Sequence, residues 1–281
     1  MEKLDIIFNK LRSDSNDRYD NFNIEPISSI SRITEETYLE KPTWLGGDEK
    51  FTCLFIDLDI STIISQIKQR STVAKIYDYF TQNIYDVLTI PEVSASYIDI
   101  KGDGLFGIYE GEKAVFKAFV AAVTFKTFFE KHIKNKFKSG DLILKCKVSL
   151  NKDKILVKKI GGRGDYNEVW AGELVNNAYK IASLNKKIYE QDSELQQVQK
   201  EDFKDLIIVS EDIYKKLSEK KDYAILSCGH RSNGNWTGEK VNLWKSFIDI
   251  SDDSQYSETV NYLSAIWCDE CGDKYLSEIL K

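Results

Sequence analysis

The run FTCLFIDL, residues 51–58, constrains this chain more than any other stretch. A continuous apolar run of this length predicts a central strand buried on both faces, which needs paired neighbours and a covering layer on each side. The run closes on Asp57. A carboxylate beside a core strand carries a desolvation cost unless a cation or hydrogen-bond donors meet it.

A second acid poses the same question. In YIDIKGDGLFGIYEG, residues 97–111, apolar residues alternate up to Ile100, give way to Lys101-Gly102-Asp103-Gly104, and resume through Phe106 and Ile108. The pattern predicts a hairpin with Asp103 at its tip, and the flanking glycines let backbone and ligand approach without a Cβ between them. If the hairpin lies beside the first strand, both carboxylates reach one point. That arrangement suits Mg²⁺, which favours one or two carboxylates plus phosphate oxygens. Asp59-Ile60-Ser61-Thr62 reads as a helix start, whose free N–H groups suit a triphosphate; Asp59 itself reads as a solvent-facing residue or helix cap, with a third metal ligand as the alternative.

The rest of the pattern is that of an α+β chain. Residues 72–89 carry helical spacing, as do EKAVFKAFVAAVTFKTFFEKHIKNKF (112–137) and AGELVNNAYKIASL (171–184). LILKCKVSL and KILVKKI alternate as strands, with a turn expected at Asn151-Lys152-Asp153. Residues 161–166 read as a flexible loop, and 206–210 as a further strand. The succession indicates a mainly antiparallel sheet flanked by helices. Residues 1–50 form an opening helix and a polar, irregular arm with a turn at 43–47; 51–221 form the main unit; 222–281 form a hairpin of two strands and a tail.

The chain has 281 residues, with 39 Lys plus Arg against 45 Asp plus Glu and a net charge of −6, which argues against a general nucleic-acid surface. No apolar run approaches the roughly 20 residues needed to cross a bilayer. The start, MEKLDIIFNKLRSD, is too charged for a secretory signal, so no membrane partner and a cytoplasmic location are expected.

Five cysteines in a chain this long are not a disulfide framework. Cys228-Gly229-His230 and Cys268-Asp269-Glu270-Cys271 supply C-x-H and C-x-x-C, two pairs that complete a tetrahedral zinc site with no open position. Such closure indicates a structural ion pinning the tail to the preceding hairpin. Cys53 and Cys146 lie in apolar strands and read as core, and Trp236, Trp244 and Trp267 as packing for the small C-terminal unit. Arg231 and Lys240 read either as pyrophosphate contacts or as exposed loop charges.

Three pieces in order, FIDLDIST, IKGDGLF and GDYNEVWAGELVNNAYKIASL, resemble the class III nucleotide cyclases, the adenylate and guanylate cyclases, over roughly residues 50–220. The resemblance implies a ferredoxin-like, palm-type antiparallel sheet and a head-to-tail homodimer with active sites between subunits. One subunit would supply Asp57, the Leu58 carbonyl and Asp103 to two Mg²⁺ or Mn²⁺ ions, with Ser61 and Thr62 near the triphosphate. Its partner would supply Asn176 to the ribose and Lys180 to the reacting phosphate. The family usually has arginine where this chain has Lys180, a point charge without the planar fork, and Arg163 is a possible second cation.

The base-reading positions also depart. Adenylate cyclases have lysine four residues before the second metal aspartate and aspartate seven before the asparagine; guanylate cyclases have glutamate at the first place. Here Asp99 and Val169 stand there, and neither purine set matches. Asp99 can accept from uracil N3–H or from the cytosine amino group. The chain therefore looks like the pyrimidine cyclases of bacterial Pycsar antiphage systems, whose cyclic nucleotide acts on a separate effector protein. That resemblance implies UTP as substrate, with cytidylate or purine cyclase activity as alternatives. A diguanylate cyclase would need a GG-D/E-EF tip, which is absent. A catalytically silent nucleotide-binding regulator would explain Lys180, though not the retention of both acids. A zinc-stabilised adaptor would use neither.

Overall fold

The computed structural model describes residues 2–40, 42–59, 69–138, 144–162, 165–196, 205–230, 237–250 and 257–281. Ser61, Thr62, Arg163, Arg231 and Trp236 lie outside the described residues. The chain opens with helix α1 (Glu2–Asp20), followed by β1 (Ile24–Pro26) and the long strand β2 (Trp44–Leu58). Helix α2 (Arg70–Leu88), β3 (Tyr97–Lys101), β4 (Gly104–Tyr109) and helix α3 (Ala114–Phe128) come next. Then follow β5 (Cys146–Gly162), β6 (Asp165–Trp170), α4 (Glu173–Ser183), β7 (Ile207–Ser210), α5 (Glu211–Leu217), β8 (Trp244–Ile250), β9 (Ser257–Leu263) and α6 (Gly272–Leu280).

These strands make one sheet in the order β3-β4-β2-β5-β7-β9-β8, with β1 beside β2 and β6 beside β5. Pairing is antiparallel throughout except for β1 with β2 and β5 with β7. The FTCLFIDL segment is central, as its uniform apolarity requires: residues 51–56 are buried, between β4 on one side and β5 on the other.

Each face of the sheet has its own cover. On one, α2 presents Ile76, Phe80, Ile84, Val87 and Leu88, a stripe at helical spacing, and Phe80 meets Phe125 and Phe129 edge-on at 5.6 and 5.8 Å. Helix α3 is apolar nearly all round because it lies between the sheet and the C-terminal tail. On the other face, Leu174, Ala178 and Ala182 of α4 join Ile27, Ile30 and Ile33 of the N-terminal arm over Cys53, Phe55, Phe106 and Ile108. Polar residues of β5 anchor α4: Ser149 Oγ donates to the Ala178 carbonyl at 2.6 Å, and Asn151 Nδ2 to the Leu174 carbonyl at 3.1 Å.

These anchors explain where the sequence misleads. The polar trio Asn151-Lys152-Asp153 reads as a turn, yet β5 runs through it without a break and pairs it with Cys53, Thr52 and Phe51. Asn151 is polar because it bonds helix carbonyls from within the sheet. The turn expected at 43–47 is instead the start of β2, with an irregular register between Gly46 and Lys50. Of the loop expected at 161–166, the described residues are paired strand, Gly161 with Tyr166 and Gly162 with Asp165; residues 163 and 164 lie outside the described residues. In place of two strands over 223–247, the described residues hold a helical turn (Lys221–Ala224), one isolated bridge between Leu226 and Asn242, and a strand beginning at Trp244. That strand and β9 extend the main sheet beyond β7, so residues of the C-terminal stretch complete the same sheet that carries the acids.

Candidate active site

Asp57 is half-buried one residue before the end of β2, and register places it opposite Gly104 of β4 and Lys147 of β5. The hairpin therefore lies directly beside the first strand, which brings Asp103 to the end of the sheet where Asp57 sits. Gly102 turns the hairpin with φ +65°, a conformation that side chains resist. Gly104 matters for space: a Cβ there would lie 2.8 Å from Asp57 Oδ1 and 3.1 Å from the Ile56 carbonyl oxygen.

The electrostatics are those of an unfinished site. Burial, and after it the charge of Asp103, push the Asp57 carboxyl up to about 6; Lys147 opposes the shift and Asp59 adds to it. Asp103 Oδ2 is buried with no hydrogen-bond partner among the described residues. Burial and then the charges of Asp103 and Asp57 also raise the phenol of Tyr77 on α2. Hard oxygen donors, mutual repulsion and an orphaned buried acceptor together fit a divalent cation, which would relieve all three.

Lys147 is the residue that sequence reading missed. Its Nζ lies 2.6 Å from Asp59 Oδ1 and 3.9 Å from Asp57 Oδ2, so Asp59 is ion-paired rather than merely solvated. The available signal was the period-two row Lys147, Ser149, Asn151, a polar file along one side of an apolar strand.

Asn176 and Lys180 lie on the exposed side of α4. The neighbouring Tyr179 meets Phe55 edge-on at 5.7 Å, so this turn of the helix overlies β2 two residues before Asp57. Leu58 is buried and pairs with Cys146. Asp99 and Val169 are not brought side by side. Trp170 Nε1 donates to Asp99 Oδ2 at 3.0 Å and Lys101 Nζ lies 2.9 Å from the same oxygen. Val169, one residue before Trp170 on β6, points to the opposite face of that strand and is 40 % exposed.

Away from these acids, the ligand atoms of Cys228, His230, Cys268 and Cys271 all lie within 4.8 Å of one another. Burial raises the Cys268 thiol, but backbone N–H groups of Glu270 and Cys271 outweigh it and hold the group below its usual value. Cys271 is raised, by burial first and then by its cysteine neighbours. Cys53 and Cys146 are fully buried core residues, as their strands required. Lys240 is exposed and lies over the Tyr223 ring at 5.9 Å.

Comparison with known proteins bears on the fold. A guanylyl cyclase structure, Cya2, matches with a TM-score of 0.54 at 14 % identity, covering 79 % of this chain and 94 % of its own. The adenylyl cyclase CyaB from P. aeruginosa matches at 0.52 and 12 %, covering 78 % and 96 %. The fold is that of a class III nucleotide cyclase catalytic domain. No family model matches the chain. In sequence, this cyclase-fold chain is similar to proteins named uridylate cyclase. One from Propioniciclava tarda is 29 % identical over 246 residues, 85 % of this chain and 70 % of that protein. Another, from Micromonospora echinofusca, is 29 % identical over 231 residues, 80 % of this chain and 67 % of its own. Among the described residues no helix is long and apolar enough to cross a membrane.

Proposed function

We propose that this chain is a uridylate cyclase, converting UTP to 3′,5′-cyclic UMP and pyrophosphate. The observation that carries the reading is the convergence of Asp57 and Asp103 at one end of a cyclase sheet, with a buried carboxylate oxygen that has no partner among the described residues. The relatives' name supports the pyrimidine, and the absence of either purine set at Asp99 and Val169 agrees with it.

In this reading Asp57, Asp103 and the Leu58 carbonyl hold two Mg²⁺ or Mn²⁺ ions. Bound there, such ions supply Lewis acidity to the ribose 3′-hydroxyl and neutralise the triphosphate. Lys147 draws Asp59 aside, leaving the other two acids to the ions. Asn176 of a partner copy orients the ribose, and its Lys180 sits where negative charge grows as the 3′-oxygen bonds the α-phosphorus and pyrophosphate departs. Ser61 and Thr62 meet the triphosphate. The active form is a homodimer, and its product acts on a separate effector protein in a cytoplasmic antiphage response. Zinc at the Cys/His cluster is structural and takes no part in the reaction.

The Asp99 carboxylate can also accept from the cytosine amino group, which keeps CTP as the second reading. Incubation with Mn²⁺ and each of ATP, GTP, CTP and UTP decides. Dominant cyclic UMP is expected; dominant cyclic AMP or cyclic GMP would overturn the base assignment, and nucleotide binding without turnover would make the chain a silent regulator.

A further inference from the structure

The Cys/His cluster leads to a conclusion that does not depend on the nucleotide chemistry. We infer that a zinc ion held by Cys228, His230, Cys268 and Cys271 is the fastener that seats the C-terminal helix α6 on α3, the helix backing the strands that carry the acids.

The ligand geometry is the first support. Cys271 Sγ lies 3.6 Å from His230 Nδ1. A tetrahedron with Zn–S of about 2.3 Å and Zn–N of about 2.0 Å has edges of about 3.5 to 3.8 Å, so the pair already stands at ligand spacing. Three sulfurs and one imidazole select zinc over the hard cations suited to Asp57 and Asp103, and four protein ligands leave no position for substrate.

The second support is what the cluster joins. Cys271 is the N-terminal capping residue of α6, and Cys228 and His230 lie just after the Lys221–Ala224 turn. Ile279 is the one fully buried residue of α6, with Leu276 and Leu280 partly buried against the core. Beneath the cluster lies a cavity of about 60 Å³, lined among others by Phe119, Val123, Leu263, Trp267 and Tyr275. Polar bonds to α3 accompany the apolar packing of Ala265, Trp267, Leu276 and Leu280 on the core. Lys126 Nζ donates to the carbonyls of Ser264 and Ala265 at 2.5 and 3.0 Å, and Trp267 donates to Thr127 and Thr124 at 3.0 Å each. All four tethers reach residues 264–267, and Lys113 Nζ meets the Leu280 carbonyl at 2.8 Å. Between these ends the zinc site ties α6 to a segment some forty residues upstream, beside the Tyr275 hydroxyl that donates to the Ser227 carbonyl at 3.3 Å and the Tyr223–Tyr275 ring contact.

Full-length protein purified without chelator is expected to carry one zinc per chain by elemental mass spectrometry; a ratio near zero overturns the inference. Replacement by Co²⁺ is expected to give the intense visible bands and thiolate charge transfer of a four-coordinate sulfur site. A pale six-coordinate spectrum overturns it. Hydrogen exchange then separates a fastener from an incidental ion. On zinc removal the amides of 264–281 should exchange about tenfold faster or more, while β2 and β4 keep their protection. Unchanged protection in the tail overturns the fastening role. Cys228→Ser should reproduce the chelated pattern, and if that variant fails to fold, the comparison of zinc-loaded and chelated wild-type protein decides. No step uses nucleotide turnover, so these results stand whether or not the chain is a cyclase.

Discussion

The two metal-competent clusters of this molecule are opposites. At the end of β2 and the β3–β4 turn, hard carboxylate oxygens crowd together, burial and then the Asp103 charge raise the proton affinity of Asp57, and a buried acceptor has no partner among the described residues. At the root of α6, three thiols and an imidazole surround one point closely enough to fill a tetrahedron. The first arrangement keeps positions open for exchangeable ions and phosphate oxygens. The second closes upon its ion. The difference teaches that ligand softness and ligand count, read together, separate a place for chemistry from a place for fastening.

That contrast is most easily broken at the acids. Asp57→Ala or Asp103→Ala should abolish cyclic nucleotide synthesis, a loss of about 4 kcal/mol or roughly a thousandfold in rate, while zinc content stays at one per chain. A steady-state assay with metal analysis on the same sample reads both, and substantial residual turnover would break the contrast. Gly104→Val should follow closely, because its Cβ would stand 2.8 Å from Asp57 Oδ1. Loss of Mn²⁺ binding, seen by electron paramagnetic resonance, is expected with little change in circular dichroism.

Lys180→Met should lower kcat by about tenfold to a hundredfold with little change in Mn²⁺ affinity, and Lys180→Arg should restore most of it. Equal activity in both variants would remove Lys180 from the reaction. The smallest effect expected is in pH. Asp57 titrates at about 6, above the usual carboxylate range. The stability tied to its proton is therefore present at low pH and lost as pH rises through about 6 in metal-free protein. Mn²⁺ must displace that proton, so its affinity should rise between pH 5 and 7 and then level. The zinc cluster should show no step tied to Asp57, and Asp57→Asn should flatten the metal-free stability change over that interval.

Much of this was legible in the chain because it depends on local pattern. FTCLFIDL had to be an interior strand, the alternation around KGDG had to be a hairpin, and C-x-H with C-x-x-C announced a possible tetrahedron. The misread places were those where a polar side chain serves a distant partner. Asn151 sits in mid-strand with its amide donating to the Leu174 carbonyl of α4, and nothing near residue 151 says so. Lys147 is one more surface-looking lysine until register sets it against Asp57 and Asp59. Asp99 has Trp170 rather than Val169 for a neighbour because adjacent residues of a strand face opposite ways.

By itself, then, the order of residues determined which segments must be buried, where acids interrupt them, and which chemistry each set of side chains prefers. Only the tertiary structure decided that the hairpin pairs with β2 in a register setting Gly104 against Asp57, that β8 and β9 complete the same sheet, and that four ligands from two separated segments meet. Periodicity and burial are properties of a few neighbouring residues. Register and convergence depend on pairings between segments tens of residues apart, which only the packed core selects.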